Sequence, residues 1–428
     1  MEKIVISQFA GLDEVSLETG PVLVLIGPQA TGKSVTAKLL YFFREIGSRL
    51  YSAVIDGRSV EEYRTECRKR FCRYFPPDNW GTKSFSIKYK INTHVLSVAY
   101  CITEGKSAEE SLEVSLSAFY GTTLARFSER RQLLLAGAAE GDSEKRDALM
   151  KQLRQELNDA LDQALGSWSK FQQIFIPAGR AFFSLVQASV FRTLESGQDL
   201  DPFLVSFGAF LEESKGVLFD KRERRVFKKP ITQKTRPTWL KTWAKILRAD
   251  FTREKKRDFF EYPDGRHVRL AQASSGQQEA LPLLLALARF KILSHVSGRA
   301  IYIEEPEAHL FPATQREIVE LMAETFRARE KEMCVVVTTH SPYILTALNN
   351  LLQAGQRYSK ADDALAAKLG QIVPKSRSLN PGEVVAYTLE NGGARSIITP
   401  ETKLIDASII DEVSTQIAVE FDRLLWDV

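Results

Sequence analysis

The stretch Gly27–Ser34, GPQATGKS, constrains this chain more than any other because of what flanks it. Ahead of it runs the apolar segment Val22-Leu23-Val24-Leu25-Ile26, and behind it a stretch with helical spacing begins. A buried strand, a tight turn and a helix start are the setting in which the pattern GxxxxGK[ST] cradles phosphate. Gly27 and Gly32 let backbone N–H groups close around phosphate oxygens, and the helix N-terminus adds a favourable dipole. In such a loop Lys33 reaches the β- and γ-phosphates and Ser34 offers its hydroxyl to Mg²⁺. The whole loop, Gly27, Pro28, Gln29, Ala30, Thr31, Gly32, Lys33 and Ser34, is therefore expected to bind a nucleotide rather than to be a bland turn.

Composition narrows the remaining choices. At 428 residues the chain can bury a large core, and 44% apolar with 26% charged residues is ordinary for a soluble globular protein. A net charge of +4 is too slight to demand a nucleic-acid partner, so any basic surface must be local. Cys67, Cys72, Cys101 and Cys334 show no disulfide or zinc spacing, and a reduced cytoplasmic setting is the simple expectation. The opening MEKIVISQF lacks the layout of a signal peptide, and the apolar run Leu281–Leu287 is far short of a membrane span. No membrane partner is expected.

The fold class expected is α/β, a P-loop head with a mixed or parallel sheet interrupted by a long helical insertion. Residues 1–105 read as the first part of that head, β-rich around one helix at Val35–Tyr51. Residues 106–258 read as a mainly helical insertion carrying basic clusters, with a strand at Phe171–Arg180. Residues 259–428 return to alternating strands and helices and complete the head.

Further motifs in this last part carry chemistry. Ala300-Ile301-Tyr302-Ile303 is a buried strand that ends in Glu304 and Glu305. An apolar strand should not end in adjacent acids unless something cationic awaits them. Glu304 is assigned to magnesium and Glu305 to general-base work on the attacking water. Ser274, Ser275, Gly276 and Gln277 open SSGQQE, a small hydroxyl-rich turn ahead of a helix, which alone is only an N-cap but here suggests a second anion cradle. Val335-Val336-Val337-Thr338-Thr339 is a strand that delivers His340 at its carboxyl end, where parallel sheets present ligand-binding groups. His340 is placed at the γ-phosphate or its water, and Lys33, Glu305 and His340 form the candidate catalytic set. His309, just after the acids, is expected to shape the loop facing the nucleotide.

Taken in order, these motifs resemble ABC-type ATPases of the group containing RecF, the SMC proteins and the OLD-like prokaryotic defence ATPases. EEPEAHLFP at residues 304–312 is close to the DEPEAHLHP form of the OLD-like branch, and SSGQQE is similar to its signature. The layout resembles the ATPase subunits of antiphage systems such as PARIS and Septu. The resemblance covers about residues 1–105 and 260–428 and is weak between them. It implies ATP and Mg²⁺ as cofactors and two heads that sandwich ATP. Ser274, Ser275, Gly276 and Gln277 of one head would then face the phosphate loop of the other, giving a homodimer or higher homo-oligomer. Glu304 stands where Asp is commoner, and the usual glutamine lid has only Gln172 and Gln173 as candidates. Arg180 is read either as approaching phosphate or a partner, or as a surface arginine. Asp362-Asp363 does not resemble a Toprim metal pair, so no intrinsic nuclease is expected and a nuclease or toxin effector would be a separate protein.

The function so expected is a nucleotide-driven switch or scaffold that senses a trigger and controls that effector. The alternative is a RecF- or SMC-like DNA-binding repair ATPase, with DNA held by the basic runs Lys221–Lys229 and Arg253–Arg257. A transporter subunit is disfavoured by the signature and by the length of the insertion, and a dead structural protein by the presence of every chemical residue.

Overall fold

Strand β3 (Val22–Ile26) is buried along its length, and the alternation of its side chains divides the core in two. Val22, Val24 and Ile26 point into one hydrophobic layer, Leu23 and Leu25 into the other. Alternation with both faces apolar is what a strand covered by helices on either side requires. The computed structural model that shows this describes residues 2–136, 143–166, 171–186, 200–219, 236–254, 257–292, 298–328, 333–406 and 417–425.

Around β3 lie β1 (Glu2–Phe9), β2 (Leu12–Glu18), β4 (Phe85–Ile91), β5 (His94–Tyr100), β6 (Leu112–Ser115) and β7 (Gln172–Ile176). A small separate sheet is made of β8 (Asp250–Glu254), β9 (Arg257–Glu261) and β10 (His267–Arg269). The chain then returns through β11 (Arg299–Glu304), β12 (Met333–Thr339), β13 (Val384–Glu390) and β14 (Gly393–Ser396). The large sheet has eleven strands in the order β6-β5-β4-β1-β2-β14-β13-β3-β12-β11-β7. From β13 to β7 every pair is parallel, whereas β1, β2, β4, β5 and β6 pair antiparallel as an attached wing. The class is mixed α/β.

Helix Lys33–Ser48 lies on the layer that takes Leu23 and Leu25, through Leu39, Leu40, Phe42, Phe43 and Ile46. Helices Pro202–Phe219, Ser275–Ile292, Pro312–Arg327 and Pro342–Tyr358 cover the opposite layer. Leu281, Leu283, Leu284 and Leu285 are almost fully buried there. Each such side chain contributes about 1.5–3 kcal/mol relative to exposure.

Two expectations change. The first 105 residues hold three helices rather than one, because Leu50–Asp56 and Val60–Tyr74 follow the first. The latter begins at a capping box, in which Ser59 and Glu62 satisfy each other's backbone N–H groups. Within the span 106–258, β6 and β7 are members of the large sheet, and helix Ser143–Leu165 buries Leu153, Leu157, Leu161 and Leu165 in its core. Among the described residues no disulfide forms, and no helix is long and apolar enough to cross a membrane.

Candidate nucleotide-binding site

The strand order fixes which loops meet. β12 pairs with β3 on one side and with β11 on the other, all parallel, so three carboxyl ends emerge side by side. The loop Gly27–Ser34 follows β3, Glu304 and Glu305 end β11, and His340 follows β12.

The loop is shaped by its glycines. Gly27 has a φ of +145° and a Cβ there would lie 2.1 Å from the Leu389 carbonyl oxygen; at Gly32, φ +87°, it would lie 2.4 Å from Leu12. Ala30 also takes a positive φ, of 60°. Pro28, Gln29 and Ala30 are exposed, while Thr31, Gly32 and Ser34 are half-buried. Helix Lys33–Ser48 starts directly from Gly32 with no side-chain cap, leaving the amides of its first turn to an external acceptor.

Lys33 is buried and folds back over the loop, donating to the carbonyls of Gly27 at 2.9 Å and of Pro28. Burial pulls its pKa below the ordinary lysine value, and the charges of Glu305 and Glu307 oppose that pull. Its Nζ also lies 3.4 Å from His340 Nδ1, and His340 Nε2 lies 3.1 Å from Glu305 Oε1. An ammonium facing Nδ1 and a carboxylate facing Nε2 are matched when Nδ1 accepts and Nε2 donates. The three candidate catalytic residues are thus one connected chain.

Glu304 is buried; its Oε2 accepts from the Ala178 amide at 3.1 Å. Among the described residues, Glu304 Oε1, Glu307 Oε2 and Thr338 Oγ1 are buried without a hydrogen-bond partner. Glu304 and Thr338 are register partners, so two of these oxygens arise from facing positions on neighbouring strands. Buried oxygens left unpaired are costly, and a hard cation with its water is the chemistry that would satisfy them. The donor set therefore fits Mg²⁺, for which Ser34 is the other candidate.

Some functional residues escaped the sequence reading. Glu307 Oε1 accepts from the His340 amide at 2.7 Å and from Thr339 Oγ1 at 2.6 Å, and so fixes the turn that carries the histidine. Gln315 holds the next residue by accepting from Ser341 Oγ at 2.6 Å. The acid in EPEAH was a visible signal for the first; nothing in the sequence pointed to the second.

Arg180 is neither at the surface nor free to approach a phosphate, because it is wholly buried. Burial lowers its pKa while Glu279, Glu307, Glu304 and Glu305 raise it. Gln172 and Gln173 begin β7, opposite Arg299 and Ala300, at the end of the sheet away from the acids. Gln173 donates to the Tyr41 carbonyl and accepts from the Tyr302 hydroxyl, so neither glutamine is placed as a lid.

The second turn, Ser274–Gln277, opens helix Ser275–Ile292 on the other face of the sheet. Ser274 and Ser275 are exposed and Gly276 packs against the His309 carbonyl, itself in a turn with a φ of +57°. The Gln277 side chain, in contrast, turns inward. Its Oε1 accepts from the Ser274 amide and from the Ser274 and Tyr262 hydroxyls, and its Nε2 donates to the Leu247 carbonyl at 2.7 Å. Ser274, Ser275 and Gly276 are what this turn offers outward, and among the described residues no hydrogen bond or ion pair joins it to the phosphate loop of the same chain.

Of the basic runs, Lys221–Lys229 lies outside the described residues. Arg253 is occupied by Asp258 and Glu212.

Residues 127–346 match the profile of a family described as "AAA domain, putative AbiEii toxin, Type IV TA system". No curated protein matches the chain. Among solved structures the chain is similar to an Smc head bound to the C-terminal winged-helix domain of ScpA, at 13% identity and a TM-score of 0.41, covering 92% of this chain and 96% of that one. It is also similar to the SMC head domain from Thermotoga maritima, at 11% identity and a TM-score of 0.34, covering 92% and 97%. A third similarity is to the recombination mediator RecF, at 11% identity and a TM-score of 0.33, with the same coverage of 92% and 97%.

Proposed function

The chain belongs to this AAA-domain family, and from that premise we propose that it is an ABC-type ATPase acting as a nucleotide-driven switch. ATP would be held by Gly27–Ser34, with Lys33 against its phosphates. Ser34 and Glu304 would hold Mg²⁺, which when bound neutralises charge on phosphate oxygens. Glu305 is the general base for the attacking water, and His340, held between Lys33 and Glu305, orients that water. The observation that carries the reading is this unbroken Lys33–His340–Glu305 chain across three adjacent strand ends.

In this reading two heads close on ATP, each presenting Ser274, Ser275 and Gly276 to the other's phosphate loop; the Gln277 side chain serves its own helix. The exposure of the two serines supports that role. The output proposed is control of a separate toxin or nuclease in antiphage defence; the family description itself speaks of a "putative AbiEii toxin" of a toxin–antitoxin system.

Purified protein with Mg²⁺ should hydrolyse ATP to ADP and phosphate. E305Q should still bind ATP, lose about a hundred- to ten-thousand-fold in turnover, and accumulate as a closed dimer by light scattering. Absence of both ATP binding and hydrolysis in the wild type would refute the proposal.

A further inference from the structure

We propose that Arg180 is a positioning residue for Glu305, tied by Glu279 to the Ser274–Gln277 turn, so that engagement of that turn sets the base of the same head. The inference rests on the ATPase reading above.

Arg180 lies just beyond β7, whose last pairing with β11 is Ile176 with Ile303. Past that point no register pair joins the two strands, and the guanidinium reaches the carbonyls of Glu304 and Glu305, the latter of which also accepts from the Ala308 amide at 3.0 Å. Arg180 Nη1 donates to the Glu304 carbonyl at 2.7 Å and Nη2 to the Glu305 carbonyl at 3.0 Å. Glu305 has a φ of +43°, a left-handed conformation that a non-glycine residue holds only when its surroundings over-determine it. The planar fork of an arginine spans two successive carbonyls; a lysine ammonium cannot reproduce that geometry.

The other side of Arg180 belongs to the helix that starts at the turn. Glu279 Oε2 accepts from the Arg180 amide at 2.9 Å, Glu279 Oε1 from the Ala181 amide at 3.0 Å, and the Glu279 carbonyl from Arg180 Nε at 3.1 Å. Glu279 and Arg180 are both buried, with side chains 2% and 0% exposed. Burying a full charge here is expensive and contributes little net stability compared with an apolar replacement. What the pair provides is a stiff connection: helix Ser275–Ile292, then Glu279, then Arg180, then the backbone that aims Glu305. The turn of one head touches the ATP of its partner, whereas the Glu305 it steers acts on the head's own ATP. Each nucleotide would thereby report to the site across the dimer.

The test uses the whole chain as R180K and as E279Q, the latter keeping the shape and one of the two acceptor oxygens, with folding checked by circular dichroism. Both should bind a fluorescent ATP analogue within about two-fold of wild type, lose ten-fold or more in kcat and leave KM within three-fold. Mixed dimers give a second readout. One subunit carries E305Q, so turnover occurs only on the other, and S275A is added to that active subunit. The turn facing the hydrolysed ATP is then intact, yet kcat should fall several-fold, and E279Q in the same subunit should erase the difference. Wild-type kcat in both R180K and E279Q, or loss of ATP binding together with folding, would overturn the inference while leaving the ATPase reading intact. A wild type that neither binds nor hydrolyses ATP would overturn that reading itself.

Discussion

Two helices of this protein begin at small-residue turns, and they begin differently. The helix at Lys33 starts from a left-handed glycine with no side-chain cap. The helix at Ser275 starts from Ser274, whose hydroxyl and amide are engaged by Gln277, with Tyr262 and Leu247 completing the network. The first leaves backbone N–H groups for a ligand and surrounds it with a buried cation. The second is satisfied from within and exposes Ser274 and Ser275, with Gly276 half-buried beside them. An uncapped turn beside a lysine suits an anion that it binds itself; a capped one suits an anion that another body brings.

The contrast is most directly broken at the glycines. G27A should cost about 3 kcal/mol or more, since the new Cβ meets backbone in a conformation that L residues avoid. G276A, whose Cβ would lie 2.9 Å from the His309 backbone carbonyl without a forbidden φ, should cost less, about 1–3 kcal/mol. Chemical denaturation compares them, and equal costs would remove the distinction. Next comes charge: K33A should weaken ATP binding about ten- to a hundred-fold, whereas S275A should leave the affinity of an isolated head for ATP unchanged. Isothermal titration at protein concentrations below dimerisation measures both.

Q277A should lower stability by about 1–3 kcal/mol through its buried bonds, with ATP affinity preserved. The smallest effect concerns pH. Lys33 is held below the ordinary lysine value by burial, against the pull of Glu305 and Glu307. Phosphate favours the ammonium form, so binding takes up a proton once free Lys33 is neutral. Affinity should then fall as pH rises, starting below the pH at which an exposed lysine titrates. The Ser275 turn has no titrating side chain and should show no such trend.

What was readable in the sequence follows from physics that is local. A strand buried on both faces must be a continuous apolar run, and β3, β11 and β12 are such runs, so their ends could be located. The phosphate loop is a contiguous motif and declares itself. The capping box at Ser59 and Glu62 was equally local and was overlooked. By contrast, Arg180 looked like any arginine after a glycine, and only the return of β7 to the sheet beside β11 shows that it is interior. Gln277 failed in the same way, since its partners Tyr262 and Leu247 come from distant segments. Pairings across the chain decide those fates, and no pattern of neighbours encodes them.

β12 sits between the two strands that carry the lysine loop and the acids, hydrogen-bonded to both. It acts as a common ruler: its register sets the height of each neighbour's end. The lysine, the imidazole and the carboxylate emerge in line because they are measured from one rung. Three segments far apart along the polypeptide therefore share one mechanical reference, and a displacement of that rung would disturb all of them together rather than one at a time.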